Sequence, residues 1–205
     1  MRYRTVNHLI AAGTKIATQP KSSTVVIVSG TSYYYSSGVY YVKSGTQYVV
    51  VHSPPGAVIT TLPPGYTVVV VGPAPYYYYG GTFYVKVDDP KFTYKIYKVV
   101  KPPLGATVRA LHPDAKPITI DNHPFYVHAG SFYKPFFSGD EIVYVVSVPA
   151  VGAMAKALPA GAAATTINGK TFFVYGSVYF QAFHSGSQSL YLVVKPPVVV
   201  KTPAQ

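Results

Sequence analysis

Four glycines set the frame of this 205-residue chain. With Gly13, Gly56, Gly105 and Gly152 in one column, the next 28 positions align without a gap. Six residues after each glycine stands Gln19, Leu62, Leu111 or Leu158, and twenty residues after it an aromatic, Tyr33, Tyr76, Phe125 or Phe172. A second aromatic group closes each block: Tyr40-Tyr41, Phe83-Tyr84, Phe132-Tyr133 and Tyr179-Phe180. The glycines lie 43, 49 and 47 residues apart, a period that marks an array of supersecondary units. A unit of that size cannot bury enough surface alone, so neighbouring units must share a core.

Within a block, a short opening segment such as Ala57-Val58-Ile59-Thr60-Thr61-Leu62 ends at Pro63-Pro64-Gly65, a turn signal. A β-branched run follows: Thr24 to Val28, Thr67 to Val71, Ile118 to Ile120 or Thr165 to Ile167. It stops at Ser29-Gly30, Gly72-Pro73, Asp121-Asn122 or Asn168-Gly169. Asn-Gly is the strongest of these, because both central residues of a type I′ turn need positive φ. An aromatic strand returns, turns at Ser37-Gly38, Gly80-Gly81, Ala129-Gly130 or Gly176-Ser177, and a second aromatic strand comes back. A polar turn and a valine-rich closing strand end the block.

The expected fold is all-β, with four tandem antiparallel meander or barrel-like units of about 45 residues. Their boundaries fall at 13–53, 54–102, 103–149 and 150–195, with strand segments 1–12 and 196–205 outside them. Ala150 to Ala164 has a helix-compatible composition, but its alignment with Pro54 to Thr67 predicts an extended segment.

Hydrophobic residues make up 49% of the chain and charged residues 11%, yet no apolar run reaches the ~18 residues of a spanning helix. That much apolar surface with so little charge predicts association. Cysteine is absent, which removes disulfides and thiol chemistry together. The first residues lack the apolar core of a secretion signal. The net charge of +11 would attract a polyanion, although the lysines are scattered at about one per strand or turn, as edge protection would place them.

No catalytic, cofactor-binding or metal-binding residues are assigned. The carboxylates Asp88, Asp89, Asp114, Asp121, Asp140 and Glu141 all fall at expected turns, a poor setting for a shielded acid/base pair. His112, His123 and His128 lie in the third unit with Asp114 and Asp121, but the five-residue step from His123 to His128 puts those rings on opposite faces of a strand. Phosphate-loop, dinucleotide and nucleophile-elbow motifs are all missing. Lys91, Lys95, Lys98 and Lys101, interleaved with Phe92, Tyr94 and Tyr97, form the densest basic run, a composition that can track a single-stranded nucleic acid.

Pro54-Pro55-Gly56-Ala57, Leu62-Pro63-Pro64-Gly65-Tyr66, Tyr76 to Tyr79 and Phe83-Tyr84 resemble an uncharacterised family of Tyr-, Val- and Pro-rich bacterial proteins. The likeness runs over most of the chain. It implies an exported, envelope or extracellular setting and no assigned activity.

Tyr3-Arg4-Thr5-Val6 occupies the place of a closing strand, and Val198-Val199-Val200 that of an opening one. An unpaired strand is a template for another chain, and a contact of this kind that does not close generates a fibre. The expectation is therefore a non-enzymatic subunit of an extracellular or surface filament. It would join head to tail through Tyr3, Arg4, Thr5, Val6, Val198, Val199 and Val200, with Tyr76, Tyr77, Tyr78 and Tyr79 packing laterally. The alternative is a monomeric cell-envelope module binding polysaccharide or nucleic acid, without cofactor in either case.

Overall fold

Strands alone make up the regular structure of a computed structural model that describes residues 9–88, 90, 93–186 and 188–198. No helix among the described residues is long and apolar enough to cross a membrane. The chain divides into two compact units, Met1–Asp114 and Ala115–Gln205.

The first unit begins with β1 (Lys15–Ile16), β2 (Thr24–Val28), β3 (Thr31–Ser36), β4 (Val39–Ser44) and β5 (Gln47–Val51), in a sheet of order β1-β5-β4-β3-β2. The same plan recurs in β6 (Val58–Ile59), β7 (Thr67–Val71), β8 (Ala74–Tyr79), β9 (Thr82–Val87) and β10 (Ile96–Val100), ordered β6-β10-β9-β8-β7. The short β11 (Thr107–Val108) follows. The second unit holds β12 (Lys116–Ile120), β13 (His123–His128), β14 (Ser131–Ser138) and β15 (Glu141–Val146), then β16 (Met154–Ala155), β17 (Ala163–Ile167), β18 (Lys170–Tyr175), β19 (Val178–Ser185) and β20 (Gln188–Val194). These run in one sheet as β15-β14-β13-β12-β16-β20-β19-β18-β17.

The turn chemistry behaves as the sequence predicts. Asn168 and Gly169 carry φ of 51° and 73°, and Ile167 pairs with Lys170 across them, which is the two-residue hairpin that positive φ permits. Three of the four framing glycines open their blocks with the same hydrogen bond. The amides of Gly13, Gly56 and Gly152 donate to the carbonyls of Val50, Val99 and Val193, each at 2.8 Å. The short strand after each glycine is thereby stitched to the closing strand of its own meander. The alanine-rich stretch 150–164 holds no helix; it is turns and bends around the short strand Met154–Ala155, leading into β17.

The barrel-like alternative is corrected: among the described residues no sheet closes into a barrel. In the second unit β16 joins two meanders by pairing with β20 on one side and β12 on the other. Ile120 faces Ala155, and the Asp121 amide donates to the Met154 carbonyl at 2.7 Å.

The four meanders are also not equivalent. In the first, Tyr33, Tyr35 and Tyr40 face the shared core; in the second, Tyr77, Tyr79 and Tyr84 do so, one position later along each strand. The second unit repeats this offset, with Phe125, Val127 and Phe132 from one meander against Phe173, Tyr175 and Phe180 from the other. Because successive side chains on a strand point to opposite faces, a one-residue offset turns the opposite face inward. A first-type and a second-type meander together close one core, so the structural repeat is the pair.

Both faces of a meander carry rings, and in each one a ring of the second strand meets a ring of the closing strand edge to face. The pairs are Tyr34 with Tyr48, Tyr77 with Tyr97, Tyr126 with Tyr144 and Phe173 with Tyr191, at centroid separations of 4.9, 5.3, 5.4 and 5.7 Å. This is the geometry the ring quadrupoles favour.

Candidate functional site

The exposed apolar residues follow from the parity of the strands. The outermost strands β2 and β7 each bury one central valine, Val26 or Val69, and turn its neighbours outward. Val25 and Ile27 are 57% and 69% exposed, Val68 and Val70 56% and 66%. Both strands are sheet edges, and neither the TVVIV nor the TVVVV sequence contains the charge or proline that usually blunts an edge. In the second unit the long hairpin β14–β15 presents Phe137, 83% exposed, opposite Ile142.

One polar cluster is assembled in the first unit. The Asp114 amide donates to His112 Nδ1 at 3.1 Å, and Asp114 Oδ2 accepts from the Ala12 amide at 2.8 Å. Because Nδ1 accepts a bond from the backbone, the ring proton sits on Nε2. Asp114 Oδ2, 3.6 Å from Nδ1, therefore cannot draw a proton from that nitrogen. The arrangement anchors the segment at Ala12 and does not build a general-base relay. Burial holds His112 below the usual histidine range, partly opposed by the Asp114 carboxylate and reinforced by His52.

The remaining ionisable groups are dispersed. Lys86 pairs with Asp88 at 2.6 Å. His123 Nδ1 lies 2.8 Å from the Asp121 carbonyl at an exposed turn, while His128 is buried at the other end of β13. His184 Nδ1 lies 3.3 Å from the Ser189 hydroxyl. Asp140 and Glu141 sit exposed at the β14–β15 turn. Among the described residues no group of three or more His, Cys, Asp or Glu is placed to hold a metal ion. Lys95, Lys98 and Lys101 are exposed, with Lys98 facing Val85 in register and so on the face opposite Lys86.

Of the residues expected at a subunit interface, Tyr3, Arg4, Thr5, Val6, Val199 and Val200 lie outside the described residues, as do His8, Asp89 and Lys91. Val198 is 80% exposed, and its carbonyl accepts from Asn168 Nδ2 at 2.8 Å. Tyr76 and Tyr77 are half-buried, whereas Tyr78 and Tyr79 are buried inside the first unit. Tyr79 faces the core that two meanders share, and Tyr78, on the opposite face of the strand, is covered by the segment of Ala110. The exposed valines of β2 and β7 were not singled out from the sequence, where a Val-rich run has the pattern of a buried strand.

A model of one protein family matches the chain twice, over residues 2–96 and 90–196, and is described as a family of unknown function (DUF6515). No curated protein and no solved structure gives a significant match. The matched repeat of about 95 residues spans two meanders, which replaces the expected period of about 45. Its length agrees with the paired cores, since only two opposite-parity meanders close one.

Proposed function

This chain belongs to that family of unknown function, and from that premise we propose that it is a non-catalytic structural subunit that associates with further copies of itself outside the cell. The observation that carries the reading is the pair of uncharged edge strands β2 and β7, which hold Val25, Ile27, Val68 and Val70 in solvent. An open edge with outward β-branched residues is a template for another strand, and contiguous exposed apolar surface marks association. Head-to-tail growth into a filament belongs to the same proposal. So does the reading of each repeat of about 95 residues as a duplicated pair of meanders of about 45.

The test is sedimentation velocity of the full chain over a range of concentrations, beside a Val68→Lys/Val70→Lys variant. Unsubstituted protein is expected to form species well above 22.1 kDa, and the lysine variant to shift toward the monomer. Unsubstituted protein that stays monomeric at every concentration overturns the proposal.

A further inference from the structure

The outer faces of β8–β10 and β18–β20 occupy the same place in their repeats but differ in what covers them. In the first unit this face is closed. Phe83 is 0%, Ile96 4% and Tyr78 7% exposed. The Tyr78 hydroxyl donates to the Ala110 carbonyl at 2.8 Å, so the opening segment that contains β11 reaches onto the face. Ala106 and Val108 of that segment are themselves buried.

In the second unit Tyr179 stands where Phe83 does, Val174 where Tyr78 does, and Leu190 faces Phe183 in register as Ile96 faces Val87. There Tyr179, Val174 and Leu190 are only half-buried and Phe183 is 51% exposed, while Met154, paired in register with Leu192, is 44% exposed much as its counterpart Val58 is at 40%. On β19 and β20 Gln181 is the polar residue within this patch and no charged side chain interrupts it, while the exposed Lys170 of β18 and Lys156 beyond β16 flank it on the same face. Within the repeat frame, the counterpart of the covering segment at Thr107–Leu111 is Lys15–Gln19, where Ile16 stands in the place of the buried Val108 but is only half-buried, and Thr14, in the place of the buried Ala106, is exposed. One chain thus displays an uncovered face and an uncovered segment whose counterparts are joined in its own middle.

We propose that the outer face of β18–β20 in one copy binds the opening segment Lys15–Gln19 of a second copy, repeating the joint that Tyr78 and Ala110 make within the chain. The proposal rests on the self-association reading and adds a second contact to the edge strands that carry it. Val174 has no hydroxyl to repeat the Tyr78 bond, and Tyr179, at the neighbouring strand position, supplies one for a backbone carbonyl of the incoming segment. Face and segment are different surfaces, so the contact is heterologous and leaves one of each free at the two ends of every assembly. Addition can then continue without limit.

The experiment compares sedimentation of the full chain with Phe183→Asp and Gln181→Lys variants, both at exposed positions of the patch, and adds a synthetic peptide of residues 9–21 as a competitor. Circular dichroism and thermal melting establish that the variants fold; Gln181→Lys keeps the test open if Phe183→Asp does not. Support consists of assembly by the unsubstituted chain, association weakened at least about tenfold by a folded variant, and disassembly on adding the peptide. If the unsubstituted chain assembles while folded variants assemble undiminished and the peptide has no effect, the joint is wrong and self-association stands. If the unsubstituted chain stays monomeric throughout, both readings fall.

Discussion

Gly176 packs on Gly130 backbone against backbone inside the second unit, so that a β-carbon on Gly130 would lie 3.3 Å from the Cα of Gly176. The two glycines stand in the β13–β14 and β18–β19 turns, the same hairpin in the two meanders that share a core. In the first unit Gly38, in the matching turn, meets the ring of Tyr79 instead. Closure of each pair depends on a turn that has no side chain. Both positions in the second unit also have positive φ, 78° at Gly130 and 61° at Gly176.

Gly176→Ala is therefore expected to combine a backbone penalty with a clash against the Gly130 carbonyl, a loss of about 2 to 4 kcal/mol. Gly169→Ala, where φ is 73° but nothing lies within 4 Å, should lose about 1 kcal/mol from the backbone alone. Urea unfolding midpoints at constant slope distinguish them. Equal losses would show that the close approach is not what holds the pair together.

In the first unit Tyr40 and Tyr84 are both fully buried, and their hydroxyls lie close enough to act on each other, and that of Tyr84 on Thr82, although neither reaches full hydrogen-bond geometry. Tyr84→Phe should be neutral or stabilising by about 1 kcal/mol, since it removes a desolvated polar atom and keeps the ring. Tyr84→Ala should cost about 3 to 5 kcal/mol through the cavity it leaves. Thermal and urea denaturation of the two variants check both figures. A large loss from Tyr84→Phe would mean that the hydroxyl is hydrogen-bonded in solution.

Alkaline pH should unfold the protein. Burial pushes Tyr35 up to about 12 from its ordinary 10.0, partly offset by a hydrogen bond with the Gly38 backbone, and burial raises Tyr40, Tyr78 and Tyr84 further. A phenol whose folded pKa lies above its unfolded value keeps its proton in the native state when the unfolded chain has lost it. The associated stability is complete below pH 10 and falls as pH rises through the interval to about 12. Tyrosinate absorbance should rise in step with loss of circular dichroism. Ionisation of these four rings in a chain that stays folded would contradict their burial.

Asp114→Ala should lower the pKa of His112 still further, because the carboxylate is the one group that raises it against burial and His52. The same variant loses the bond from the Ala12 amide, so amide exchange at Ala12 should quicken. With a folded pKa below the unfolded value, His112 contributes stability above about 6.5 that is lost as pH falls through its folded pKa. Proton NMR titration reads the pKa and hydrogen exchange reads the tether. An unchanged His112 would show that the ring and carboxylate are not coupled.

Much of the local structure was legible in the chain itself. Thr24–Val28 and Thr67–Val71 are the strands their β-branched runs predict, and the Asn168-Gly169 turn takes the positive φ its residues favour. Each of these depends on neighbours in sequence. The pairing of meanders was not legible. Phe83-Tyr84 and Tyr76 to Tyr79 place aromatics on both faces of a strand, so alternation alone cannot say which face is inside. For the same reason alternation could not show that Tyr79 lies in the shared core while Tyr78, on the other face, is covered by the segment of Ala110.

The amino-acid sequence by itself determined the repeat frame, the hairpin turns and the positions of the strands, because turn φ preferences and β-branched sterics act over a few residues. Only the tertiary structure decided that alternate meanders turn opposite faces inward and that two of them make one unit. Burial of a two-sided aromatic sheet is settled by what lies across from it, and that partner is about 45 residues away.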